Sequence, residues 1–254
     1  MKAELVKVEQ SGAIRTLTLD SPENRNALSV SLLDQLAEGL RAAEADASVR
    51  AIVLSATGTV FCSGADLTER DASAPSRMPE ILTAMTMSRV PVIARVNGHA
   101  RAGGLGLIAA SDMAVAPATA TFAFSEVRVG VAPAMILVPV LGVADRRFLA
   151  AMTLTGETFT AADAVQAGLL TAAVVDDASL DTWVQTRTTA ILRSAPGAVA
   201  ATKALLAELP EATWTAGLAA AAERSAELFA GAEAVEGLDA FLTKRRPSWD
   251  GVAP

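Results

Sequence analysis

Two short glycine-containing turns carry the first chemical signal in this chain: Phe61-Cys62-Ser63-Gly64-Ala65-Asp66 and Asn97-Gly98-His99-Ala100-Arg101-Ala102-Gly103-Gly104. Each follows an apolar segment that reads as a strand and leads toward a helical one. At such a junction backbone N–H groups lack an intrahelical acceptor, and small residues let a ligand approach the backbone closely. Two junctions on neighbouring strands could aim two N–H groups at one oxygen, the requirement of an oxyanion hole. Taken singly, each is more often a tight turn packed for steric reasons. Glu126 is the second signal. It follows Thr121-Phe122-Ala123-Phe124 and precedes another apolar run. Burial there would raise its carboxyl pKa and suit it to proton transfer; the plainer reading is a solvated loop glutamate, or an ion pair with Arg128.

Other chemistries find less support. His99 is the single histidine, so a Ser-His-Asp site would need it beside a serine such as Ser63 or Ser111, and no G-x-S-x-G elbow is present. Cys62 reads as a small buried thiol. Gly104-Leu105-Gly106-Leu107-Ile108-Ala109 matches the dinucleotide fingerprint, with Glu126 about 20 residues on. The preceding strand, however, ends near Val96, whereas a nucleotide-binding turn opens directly off its strand. Lys244-Arg245-Arg246 is a candidate anion site or a solvated cationic helix end.

Periodicity supplies the elements that must position these residues. Residues 4–9 and 14–20 read as paired strands joined through Ser11-Gly12. Residues 29–45 form an amphipathic helix with Leu32, Leu33, Leu36 and Leu40 on one stripe. Buried strands are expected at 51–55 and 92–96, with further strands at 113–116 and 121–124. Residues 56–64 read as loop, 66–89 as loop then helix, and 103–110 as helix. Beyond residue 134 the pattern is almost wholly helical, at 135–141, 145–153, 161–167, 179–193, 197–208, 212–229 and 232–243, with a late strand at Val174-Val175. The sum is an α/β core carrying a helical C-terminal layer.

Composition narrows the partners. Of 254 residues 52% are hydrophobic and 19% charged, enough apolar material for a sizeable core. The net charge of −7 does not invite nucleic acid or an anionic membrane, so an anionic ligand would need local cations. One cysteine forms no internal disulfide, and no Cys/His cluster suggests a zinc site. Met1-Lys2-Ala3-Glu4 lacks the apolar stretch of a signal peptide. The uncharged run 129–144 is shorter than the roughly 20 residues of a spanning helix and contains Pro133 and Pro139. A soluble, cytoplasmic protein is expected.

Taken in order, Asn24-Arg25-Asn26-Ala27-Leu28, the stretches 61–66, 91–104 and 122–126, Leu154-Thr155-Gly156-Glu157 with Ala161, Ala164, Gly168 and Leu169, and Phe241-Leu242-Thr243-Lys244-Arg245-Arg246 resemble the crotonase family, the enoyl-CoA hydratase/isomerase superfamily. The resemblance runs over nearly the whole chain. It implies an α/β crotonase-type spiral of ββα units (residues 1–195) and a C-terminal helical region (196–254) that makes trimer contacts, in a homotrimer or homohexamer. It implies an acyl-CoA thioester substrate, the CoA being part of the substrate, with no separate cofactor or metal. The Ala65 and Gly103 amides would form the oxyanion hole and Glu126 would be the acid/base. Arg25, Asn26, Ala27, Leu28, Ala65, Asp66, Leu67, Gly103 and Gly104 would lie along the CoA, while Phe241 and Lys244 resemble adenine- and phosphate-side contacts that a neighbouring subunit often supplies.

One position departs from the family pattern. Hydratases of the family usually carry a first glutamate three residues after the oxyanion glycine, and Gly106 stands there. Two carboxylates readily share the water and the proton of a syn hydration; one suits moving a proton between carbons. The expected activity is therefore an enoyl-CoA hydratase-like hydro-lyase using one glutamate, with a Δ3,Δ2-enoyl-CoA isomerase and a non-catalytic acyl-CoA-binding protein as alternatives. Residues 68–79 are expected to shape the acyl pocket.

Overall fold

A computed structural model describes residues 3–69 and 77–251. The chain opens with β1 (Val6–Ser11), β2 (Ile14–Leu19), α1 (Val30–Ala45), β3 (Ala51–Ala56), β4 (Val60–Cys62), α2 (Met78–Met87), β5 (Val92–Arg95), β6 (His99–Arg101), α3 (Gly103–Ala109), β7 (Met113–Pro117) and β8 (Thr121–Ala123). A 3-10 turn at Ser125–Val129 leads to α4 (Ala134–Val143), α5 (Arg146–Thr155), β9 (Phe159–Thr160), α6 (Ala161–Gln166) and β10 (Ala172–Val174). The rest is helical: α7 (Asp177–Leu192), α8 (Pro196–Glu208), α9 (Trp214–Ala230) and α10 (Ala232–Leu242).

Among the described residues the strands form two sheets, in the orders β1-β2-β3-β5-β7-β10 and β4-β6-β8-β9. The orders reveal a repeat. Each pair β3–β4, β5–β6 and β7–β8 gives its first strand to the large sheet and its second to the small one, always one place further along. Within each sheet these neighbours are parallel, so the chain advances as a spiral of strand–strand–helix turns. This agrees with the expected crotonase-type α/β architecture. β1 and β2 form the expected antiparallel hairpin, Ser11 opposite Ile14.

Burial explains which strands the sequence exposes to view. All six residues of β3 are buried, as a parallel strand covered on both faces must be. In α1 the leucine stripe is buried, and Ser29 Oγ caps the helix by accepting from the Leu32 amide at 3.2 Å. The small sheet was largely hidden from the sequence. Residues 56–64, read as loop, contain β4; the stretch before Gly103 contains β6; β9 was not anticipated. These strands are two or three residues long, and tertiary pairing, not local pattern, creates them.

The C-terminal helices are tied to the core by one buried and one half-buried cation. Lys203 on α8 is 5% exposed; its ammonium donates to the carbonyls of Met85 (2.8 Å) and Val90 (3.1 Å) and pairs with Asp112 at 2.7 Å. Arg50 donates to the carbonyls of Trp249, Ile191 and Ser194, holding the chain end against the start of β3. Among the described residues no helix is long and apolar enough to cross a membrane.

Candidate functional site

Three loops converge beside the ends of β4 and β6. Asn26, fully buried with φ +53°, braces the first: its Oδ1 accepts from the Ser21 amide (2.8 Å) and its Nδ2 donates to the carbonyls of Thr57 (2.9 Å) and Val60 (2.7 Å). Its polar atoms are thus committed to the scaffold. The turn delivers Leu28 to the second loop, where the Leu28 amide donates to Gly64 O at 2.8 Å and Leu28 O accepts from the Asp66 amide at 3.4 Å. In this parallel bridge between Leu28 and Ala65, the Ala65 N–H faces away from Leu28.

Gly64 brings the third loop close. With φ +95°, it takes a conformation that a side chain rarely adopts, and a Cβ there would sit 2.7 Å from Ala102 Cβ and 3.7 Å from the Gly103 amide nitrogen. Gly103 leaves equally little room, since its Cβ would lie 2.7 Å from Leu28 Cδ1. Ala102 is held at φ +47°, ψ −120° by the turn into α3, and its amide donates to Ala123 O at 3.1 Å. Strain of this kind persists where surrounding structure over-determines it. As first residues of α3, Gly103 and Gly104 have no helical acceptor for their N–H groups.

Glu126 enters from β8. Phe122 and Phe124 stack on Phe159 with centroids 5.7 and 5.9 Å apart, which anchors the strand end two residues before the carboxylate. Glu126 Oε2 is buried and, among the described residues, has no hydrogen-bond partner. Desolvation pushes its carboxyl above the usual carboxylate range, partly opposed by a hydrogen bond from its own amide. The plainer ion pair with Arg128 is not formed: that guanidinium packs on Gly156 and donates to Thr155 O at 3.3 Å.

At Gly106, where a first glutamate was expected from the resemblance, a Cβ would lie 2.5 Å from Ile136 Cγ2, 2.9 Å from Ile136 Cβ and 3.4 Å from Met78 Cε. Hydrocarbon therefore occupies the space a second carboxylate would need. Sequence reasoning did not single out Met78 or Ile136, because an apolar side chain in an apolar run carries no chemical signature.

Several sequence candidates are brought together and others are not. Ala27 and Leu28 are buried beside Ala65, Gly103 and Gly104, while Arg25 and Leu67 are exposed. Asp66 is used locally: it accepts from the Thr68 amide and hydroxyl, which holds its carboxyl below the usual range. Phe241 and Lys244 lie exposed at the end of α10. The segment that follows returns to Gly237 and Arg50, at the opposite end of β3 from these loops. Of residues 68–79, those from 70 to 76 lie outside the described residues.

The competing chemistries do not assemble. Ser63 and Ser111 hydroxyls donate to the backbone carbonyls of Asn24 and Leu107, and His99 Nδ1 accepts from the Thr121 amide at 3.1 Å. Burial drives the Cys62 thiol up to about 12, so it holds its proton at neutral pH. A Cβ at Gly104 would strike Cys62, so the face of the glycine-rich turn that would approach a pyrophosphate is filled. Among the described residues no group of His, Cys, Asp and Glu could hold a metal ion.

Comparison with known proteins gives one consistent result. Residues 9–252 match the family model described as enoyl-CoA hydratase/isomerase. The chain is 33% identical to the 2,3-dehydroadipyl-CoA hydratase of Escherichia coli over 98% of its own length and 99% of the relative's. It is 32% identical to the enoyl-CoA hydratase domain-containing protein 3 of Danio rerio over 98% and 89%. The crystal structure of an enoyl-CoA hydratase from Mycobacterium smegmatis superposes with a TM-score of 0.91 at 35% identity, covering 97% of this chain and 99% of that one. The matches span both sheets, the three converging loops and the glutamate turn alike, and on that breadth the chain belongs to the enoyl-CoA hydratase/isomerase family.

Proposed function

We propose that the protein is an enoyl-CoA hydratase-like hydro-lyase in which Glu126 handles both the water and the proton. The thioester oxygen accepts from the Ala65 and Gly103 amides. Ionised Glu126 takes a proton from water as its oxygen bonds to the β-carbon, and negative charge moves onto the thioester oxygen. The protonated carboxyl then returns that proton to the α-carbon, so the net change is addition of one water. A donor of this kind contributes about 3–4 kcal/mol to the transition state. The observation that carries the reading is the buried, unpaired Glu126 oxygen, whose burial shifts the carboxyl above its ordinary range and so lowers the cost of holding a proton.

The Ile136 contact at Gly106 favours a second reading, a Δ3,Δ2-enoyl-CoA isomerase. There Glu126 would take a proton from the α-carbon and return it to the γ-carbon, with no water to hold. Incubation with 2-enoyl- and 3-enoyl-CoA esters in heavy water separates the two. Hydration yields a β-hydroxyacyl-CoA with solvent deuterium at the α-carbon; isomerisation moves the double bond without adding oxygen. Glu126→Gln is expected to lower turnover at least about 100-fold. Unchanged turnover in that variant sinks both readings, and tight acyl-CoA binding without turnover of any ester would identify a non-catalytic acyl-CoA binder.

A further inference from the structure

β6 is three residues long, yet it leads directly into the turn that presents the Gly103 amide. Ala102, the residue between them, stands at φ +47°, ψ −120°, a conformation that persists only where the surroundings impose it. One hydrogen bond acts on Ala102 itself, from its amide to Ala123 O at 3.1 Å. Further restraint comes from the two side chains that flank Ala100. His99 and Arg101 lie two positions apart on the strand and so share one face, and both close on Thr121 at the start of β8. The Arg101 guanidinium donates through Nη1 to Thr121 O and to Ala100 O (2.9 Å), and through Nη2 to Thr121 Oγ1 at 2.9 Å. Thr121 Oγ1 also lies 2.9 Å from His99 Nδ1, which accepts from the Thr121 amide at 3.1 Å. The amide, carbonyl and hydroxyl of Thr121 are thus all held from β6. Arg101 is half-buried, and among the described residues no carboxylate pairs with it, so burial draws its pKa below the usual guanidinium value. A cation withdrawn from water without a counter-ion is costly. Here the planar fork meets fixed acceptors instead, on the strand that precedes the turn.

We propose that Arg101 is a positioning residue for catalysis: its guanidinium, closing on Thr121 together with His99, holds the Ala102 turn so that Gly103 presents its amide to the thioester oxygen. The inference rests on the acyl-CoA reading of the site. β8 is a firm strand to hold. Downstream of Thr121, Phe122 and Phe124 stack on Phe159, so β8 and the Glu126 turn have an anchor that does not involve Arg101. Tying β6 to β8 sets the Gly103 amide against that anchored strand. Arg101 therefore acts through the Gly103 amide, and Glu126 keeps its own support. A small displacement of one donor weakens the stabilisation of developing charge far more than it weakens binding of the neutral ester.

The test uses the full chain. Arg101→Met removes the three donations but keeps an unbranched side chain. Arg101→Lys keeps the charge without the planar fork, and Thr121→Val removes Oγ1 alone from a strand position that favours β-branching. Melting curves verify folding. Values of kcat and KM are measured on whichever 2-enoyl- or 3-enoyl-CoA ester the parent turns over, and the dissociation constant of butyryl-CoA by calorimetry. In Arg101→Met kcat is expected to fall by about 10- to 100-fold, while affinity for butyryl-CoA stays within about twofold of the parent's. The acid limb of the kcat/KM profile should not move, because Glu126 keeps its anchor. Arg101→Lys should fail to restore the parental kcat. Thr121→Val should lose less, and the double variant Arg101→Met with Thr121→Val little more than Arg101→Met alone, as members of one hydrogen-bonded group do. The proposal is overturned if folded Arg101→Met keeps the parental kcat, or if affinity for butyryl-CoA falls as far as kcat. It is equally overturned if the acid limb moves with kcat, or if Arg101→Lys restores full turnover. Should Arg101→Met fail to fold, a parental kcat in Thr121→Val overturns it. A parent that binds no acyl-CoA, or binds it and turns over no ester, removes the catalytic reading of the site and the inference with it; an active parent with unaltered variants removes the inference alone.

Discussion

On the proposed reading, one carboxyl group at Glu126 sets both a rate and a stability. Its native pKa lies above the unfolded value because burial penalises the charge, so the folded state holds the proton more tightly than the unfolded chain does. The cost of ionising it is absent below the unfolded pKa, grows as pH rises through the window up to the raised native pKa, and is complete above. Glu126→Gln should therefore match the parent's melting temperature in acid and exceed it at neutral pH, while catalysis is lost. A neutral-pH melting temperature below the parent's would contradict the assignment of burial as the cause. In kcat/KM profiles the acid limb should lie above the ordinary glutamate range and vanish in the variant. Gly106 tests the missing carboxylate from the other side. Gly106→Glu alone drives a side chain into Ile136, with its Cβ 2.5 Å from Cγ2, at a cost of about 1–3 kcal/mol. Adding Ile136→Ala opens that space. The double variant is expected to recover stability in urea titrations and to hydrate crotonyl-CoA faster than either single change; equal rates would show that a second carboxylate is not what this site lacks.

At the scale of elements, the site is a meeting of turns held in close contact at Gly64, Ala102 and Gly103. Gly64 and Ala102 approach so closely that Gly64→Ala must displace the Gly103 amide or distort φ at residue 64. This variant is expected to lose kcat by about 100-fold while KM for the CoA ester changes little. A KM effect alone would place the turn in binding and not in charge stabilisation. Lys203 fastens α8 to α2 and to the segment that follows it. Lys203→Met breaks an ion pair and removes the donor to the Met85 and Val90 carbonyls, while the exposed Asp112 keeps the Val92 amide, at about 1–3 kcal/mol, readable as a lower urea midpoint. These dependencies explain what the sequence could disclose. β3 and β5 are apolar throughout or nearly so because helices or sheets cover both faces, and an apolar run is visible. β4, β6 and β9 are too short for any period to emerge. The roles proposed for Ala65 and Gly103 reside in backbone amides that every residue but proline possesses, so only the ordered resemblance pointed to them. Asn26 illustrates the converse: its position was legible, but its two-sided bracing of Ser21, Thr57 and Val60 needed the fold.

For the whole molecule, the proposed reading must explain how a chain of net charge −7 could bind a polyanionic ester, for which Lys244 is the expected phosphate-side cation and Phe241 the expected adenine-side contact. Its surface suggests the answer. Trp214 is 85% exposed, Phe229 70% and Phe241 80%, with Leu218, Leu238 and Leu242 exposed on the same two helices. Large apolar surface that is contiguous marks an interaction site in soluble proteins. If α9 and α10 pack against another copy, as in a homotrimer or homohexamer, each site can take its adenine- and phosphate-side contacts from a neighbour. Activity and assembly then become one property. Sedimentation should give a multiple of the single-chain mass, and the melting temperature should rise with protein concentration because association stabilises the folded chain. Phe229→Glu places a charge where the apolar surface would close; it should yield a smaller species whose KM for the CoA ester rises far more than its kcat falls. Lys244→Ala should raise KM without changing the assembly. A monomer with full affinity for acyl-CoA would break the link, because a single chain would then be supplying every contact the ligand needs.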